Sequence, residues 1–79
     1  MRDVPIRDDV IRLGQLLKVA GLVGSGGEAK ALLDAGLVLV NGAHEARRGR
    51  QLRNGDVVRV GDDEVRVVAS PSPSDSSSA

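Results

Sequence analysis

A chain of 79 residues with no Phe, Tyr, Trp or Cys supports one small domain with an aliphatic core. It excludes a disulfide framework, thiolate chemistry and the aromatic base stacking common among single-strand binders. Its eleven basic and eleven acidic side chains cancel, yet residues 12–53 carry seven basic against three acidic groups while residues 54–79 carry two against five. A basic middle and an acidic end can hold a polyanion on one face, although ordinary scatter of surface charge explains the count equally well. No apolar run is long enough to span a bilayer and the start lacks a signal-peptide core, so a cytoplasmic protein without membrane association is expected.

Residues 1–11 alternate charge with Val4, Ile6, Val10 and Ile11. Pro5 interrupts any long strand, and the reading is an irregular N-terminal arm with a short edge strand at Val10-Ile11. Leu13, Leu16, Leu17 and Ala20 then fall at i, i+3, i+4 and i+7, one buried face of a helix, with Gln15 and Lys18 outside that stripe. Gly21 ends this helix, and Leu22 and Val23 tuck back toward the core. Ser25-Gly26-Gly27-Glu28 has capping-box spacing: Ser25 accepts from the Glu28 amide and the Glu28 carboxylate answers at Ser25. Ala29, Leu32 and Leu33 face inward on the second helix, Lys30 and Asp34 sit four apart on its outer face, and Gly36 stops it.

Residues 37–40 form a short apolar strand, and Asn41-Gly42 is turn chemistry that tolerates positive φ. Residues 43–50 are polar and basic, a loop or frayed strand. Asn54-Gly55 marks a second turn. Residues 57–60 and 65–68 flank Gly61-Asp62-Asp63 as a hairpin. From Ser70 the chain is Ser, Pro, Asp and Ala, the composition of a disordered tail. The division is an arm over 1–11, a domain over 12–69 and a tail over 70–79.

The glycine turn before the second helix admits two readings. Glycines let an anion approach backbone amides at the positive end of a helix, or they merely serve a tight connection, which the turn taken alone favours. A P-loop is disfavoured, because no Gly-Lys-Ser/Thr occurs and a helix precedes the turn. Lys30 lies one turn past the cap, within reach of the same anion. Arg47, Arg48 and Arg50 repel one another in a short loop, and their forked guanidiniums match phosphate. His44 is the single imidazole and has no Cys or second His to share a metal. Asp62, Asp63 and Glu64 sit on a turn without an enclosing pocket. Neither a metal, a cofactor nor catalysis is expected.

Arg12-Leu13, Leu17, Gly21, Ser25, Ala29-Lys30, Gly36, Val38, Val40-Asn41-Gly42 and Gly55-Asp56 together resemble the S-four RNA-binding domain, which adopts the αL RNA-binding motif. The spacings S-x-x-x-A-K, V-x-V-N-G and G-D-x-V carry the resemblance over residues 12–60. The segments 13–18, 25–30 and 47–50 are similar to a small stand-alone bacterial subgroup, the YbcJ-like proteins. The resemblance implies an α+β fold, two packed helices against a small, mostly antiparallel β-sheet. It implies RNA contacts at Arg12, Ser25, Gly26, Gly27, Lys30 and the Asn41 turn. Two departures stand out: Gly14 replaces the family's frequent Asp, and Gly26 replaces a polar or basic residue. The arginines at 47, 48 and 50 are read as compensation.

The expected RNA-binding set is Arg12, Gln15, Lys18, Ser25, Gly26, Gly27, Lys30, Asn41, Arg47, Arg48 and Arg50. The expected function is non-catalytic binding of structured RNA, ribosomal or transfer, by a monomer associated with ribosomes. The rival reading is a protein-interaction adaptor that uses a sheet edge near residues 57–68.

Overall fold

The computed structural model describes residues 1–69; the expected disordered tail lies outside the described residues. Seven strands and two helices follow in the order β1 (Arg2–Ile6), β2 (Val10–Arg12), α1 (Leu13–Val19), α2 (Gly26–Asp34), β3 (Val38–Val40), β4 (Ala43–His44), β5 (Gln51–Arg53), β6 (Val57–Val60) and β7 (Asp63–Ala69). Five strands form one sheet in the order β1-β7-β6-β3-β4, and β2 and β5 form a separate antiparallel pair. Within the large sheet only β1 with β7 is parallel; β7 with β6, β6 with β3 and β3 with β4 are antiparallel. The fold is therefore α+β, with a mostly antiparallel sheet, as expected.

The core is aliphatic throughout. Leu13, Leu16 and Leu17 of α1, Leu33 of α2, and Val38, Leu52, Val58, Val65 and Val67 from the strands are almost wholly removed from solvent. Burying each such side chain stabilises the fold by about 1.5–3 kcal/mol relative to exposure. The leucine stripe of α1 is buried as its spacing requires, while Gln15 and Lys18 are exposed. Both helices end on the same device. Gly21 (φ 74) and Gly36 (φ 72) adopt left-handed backbone. Their amides, and those of Leu22 and Leu37, donate back into the last helical turn, satisfying carbonyls that would otherwise be orphaned.

Two expectations are corrected and one unanticipated strand is added. Residues 2–6 are not an irregular arm: Val4 and Ile6 alternate into the core, and the strand pairs in register with β7, Val4 opposite Val67. Pro5 is accommodated because β1 lies at the sheet edge, where a missing donor does not break a ladder on both sides. The Arg2 guanidinium also donates to the Ala20 carbonyl at the end of α1, a favourable place for a cation. Second, residues 51–53 form β5, which the sequence did not reveal. It pairs with the short strand at Val10-Ile11, Ile11 opposite Leu52. Third, the hairpin of β6 and β7 has no free edge, since β3 and β1 flank it, and an adaptor surface there has no unpaired backbone to offer.

The turns follow the reading closely. Asn41 (φ 52) and Gly42 (φ 85) both take positive φ, the two-residue hairpin turn whose twist suits its strands. Val60 pairs with Asp63, so the last hairpin turns on Gly61-Asp62 alone.

Candidate nucleic-acid interface

The loop over residues 45–50 is organised around a carboxylate. Glu45 is the one buried charged residue among the described residues. Its Oε2 accepts from the amides of Ala46 (3.1 Å) and Arg47 (3.3 Å) and from Arg47 Nε (3.3 Å), and its Oε1 accepts from Arg50 Nη1 at 2.8 Å. The Arg50 hydrogen bond, followed by that of Arg47, outweighs burial and holds the Glu45 carboxyl down to about 2. In this loop, sequence reading singled out His44 and the arginines but not Glu45. The only signal was an acid placed two residues ahead of an arginine run. The three arginines are consequently unequal. Arg50 is tied inward, Arg47 is shared between Glu45 and solvent with 79% of its side chain exposed, and Arg48 forms no ion pair among the described residues.

The loop docks on the start of α1. The amides of Leu13 and Gly14 donate to the carbonyls of Arg50 (2.8 Å) and Arg48 (3.0 Å). These bonds stand in for a side-chain cap, which Arg12 at the N-cap does not provide. At Gly14 an added Cβ would lie 3.5 Å from the Arg48 Cβ, ordinary contact, so loop and helix meet in van der Waals range. An aspartate here, frequent in the family resembled, would set its carboxylate beside the Arg48 side chain.

The second contributor is the start of α2. Ser25 is the N-cap and its hydroxyl accepts from the Glu28 amide. The Glu28 carboxylate accepts from the Gly24 amide at 2.9 Å, one residue upstream of the Ser25 amide expected for a capping box. Gly26 and Gly27 have helical backbone, not positive φ. An added Cβ would meet nothing within 4 Å at Gly26 and only Ser25 Oγ at 3.8 Å at Gly27. The fold therefore has no steric need for either glycine.

These elements enclose an open hollow of about 630 Å³. Arg12, Gln15 and Lys18 line it from α1 and its cap, with Gly14 beneath. Gly26 and Ala29 line it from α2, and Arg47, Arg48 and Gly49 from the loop. Among the described residues, four cationic side chains and no carboxylate line this space. Five expected residues do not line it. Ser25 and Gly27 flank Gly26 at its border, Lys30 is exposed on α2, and Arg50 is turned to Glu45. Asn41 is engaged elsewhere: its amide donates to Asp56 Oδ1 (3.1 Å) and accepts from the Val57 amide (3.0 Å). Asp56 also accepts from the Arg53 amide at 2.8 Å. The V-N-G and G-D segments are thus one clamp between two turns.

A family model described as the S4 domain matches residues 4–68. The chain belongs to the S4 domain family. The match runs from β1 into β7, so it takes in both sheets and both helices. A protein of Bacillus subtilis (strain 168) named "Probable ribosome maturation protein RlbA" is 47% identical over 57 residues, which are 72% of this chain and 80% of that relative. The relative is thus little longer than the S4 domain itself. Among the described residues of this S4 domain, no group of three His, Cys, Asp or Glu is placed to hold a metal ion, and no helix is long and apolar enough to cross a membrane.

Proposed function

We propose that this S4 domain is a non-catalytic binder of structured RNA, with ribosomal RNA as the first target to test, acting from the cytoplasm as a monomer. The observation that carries the reading is the convergence of Arg12, Lys18, Arg47 and Arg48 on one hollow whose lining, among the described residues, includes no carboxylate, beside a helix start where Gly26 presents no side chain. Guanidinium forks and helix-terminal amides are the two protein groups best matched to phosphate oxygens. The ribosome-maturation name of the Bacillus relative supports ribosomal RNA over other structured RNA. In a chain without aromatic side chains, affinity comes from the sugar-phosphate backbone and from shape.

Titration of labelled ribosomal RNA hairpins by fluorescence anisotropy tests the reading. With about four phosphate contacts, affinity falls roughly 50- to 150-fold between 50 and 200 mM salt. The Lys18→Ala/Arg48→Ala double variant removes two exposed cations that hold nothing in the fold, so it stays folded, binds weakly and has a shallower salt dependence. Wild-type affinity in that folded variant would refute the assignment.

A further inference from the structure

Beside the hollow, on the far side of Gln15, lies a second concavity of about 310 Å³. Buried Ile6 and Ile11 form its base, and Val10 and Val19 stand beside them. Its rim carries one cation and one carboxylate, Arg7 and Asp8, so it exerts no net pull on a phosphate. Val19 is 58% exposed, an apolar side chain at the end of α1 that the described residues leave largely uncovered. Gln15 lines both spaces, and its amide has no hydrogen-bond partner among the described residues.

We infer that this slot takes one unstacked nucleobase of the RNA whose backbone lies in the hollow, with Val19 against the base face and Gln15 bonded to its edge. The inference rests on the RNA-binding reading and adds what part of the RNA is recognised. The volume is at the low end of ligand cavities, about 300–1,000 Å³, enough for a single base. A base is joined through its sugar to the neighbouring phosphate, so a strand seated in the cationic hollow brings a base to the adjoining neutral slot. Aliphatic walls offer the base face an apolar surface in a chain that has no aromatic side chain to stack on it. A primary amide carries a donor and an acceptor side by side, as does the pairing edge of every base, so the slot senses an unpaired base rather than its identity. Loops and bulges of folded RNA present such bases, and continuous duplex does not.

The test compares two labelled RNA hairpins, one with a single-nucleotide bulge and one with an abasic ribose at the same place. Wild type binds the abasic hairpin about five- to tenfold more weakly, the loss of one hydrogen bond and one apolar contact. Gln15→Ala and Val19→Ser, both at exposed positions, keep the wild-type melting temperature and salt dependence but bind the two hairpins alike. Equal wild-type affinity for the two hairpins, with salt dependence intact, overturns the slot and leaves the RNA reading standing. Equal affinity together with self-association that Val19→Ser abolishes in sedimentation would mean that a second copy covers the groove, and also overturns it. Absence of salt-dependent binding to either hairpin overturns both.

Discussion

Replacing Gly26 and Gly27 together with alanine should move stability and RNA binding in opposite directions. Both residues have helical backbone that alanine adopts freely, and an added methyl at either position meets no atom closer than 3.8 Å. Each replacement narrows the unfolded ensemble and stabilises by about 0.4–1 kcal/mol, so the pair contributes roughly 1–2 kcal/mol. In a domain of this size that raises Tm by about 4–8 °C for each kcal/mol. Gly26 lines the hollow, however, so on the proposed RNA-binding reading a methyl there would hold a phosphate away from the first amides of α2. Loss of one charge-assisted hydrogen bond is worth about 1.5–3 kcal/mol, or roughly 10- to 150-fold in affinity. Thermal unfolding by circular dichroism and anisotropy titration on the same preparations read the two effects. A stabilised variant with undiminished RNA affinity would show that the glycines serve no ligand. A lowered Tm would refute the steric argument itself.

The Glu45 loop makes a pH prediction. The folded carboxyl stays ionised down to about 2 whereas its ordinary value is 4.5, so between these limits the unfolded chain binds more protons and stability rises with pH. Its contribution is present in full above about pH 5 and fades as acid approaches pH 2. Urea unfolding from pH 2.5 to 6 should show this slope, and Glu45→Gln should flatten it while lowering stability at neutral pH; an unchanged slope would mean the carboxylate is not held as described. The triple Arg47→Ala/Arg48→Ala/Arg50→Ala variant should melt below Arg48→Ala alone because it strips both partners from a buried carboxylate; equal melting temperatures would count against the clamp. Asn41→Ala loses the bonds to Asp56 and Val57 and places a Cβ-bearing residue without that support at φ 52. It should lower stability by about 1–2 kcal/mol in chemical denaturation and leave RNA affinity of the folded protein unchanged.

The local elements were legible because their signals are local. The leucine spacing of α1, the Ser25 cap, the glycine stops and the Asn41-Gly42 turn each depend on a few consecutive residues and on backbone preferences that act within one turn. Strands β1 and β5 were not, since each gains its identity from a partner distant in the chain. Val4 and Ile6 are a strand only because β7 lies beside them, and Leu52 only because Ile11 does. The same division holds in the hollow. Arginine-rich composition and a glycine-started helix could be read residue by residue, and so could the resemblance to a family of RNA binders.

Which arginines remain available was decided by folding. A carboxylate that looks exposed in the sequence is drawn into the interior, where it takes up the guanidinium of Arg50 and part of that of Arg47 and leaves Arg48 outward. Asn41, a signature residue by pattern, is spent holding two turns together. A chain's order states which side chains exist and which short segments can form, because those depend on neighbours in sequence. Which charges neutralise each other and which stay open to a ligand depends on separations of a few ångströms across the fold, and Coulomb attraction and desolvation act only once those separations exist.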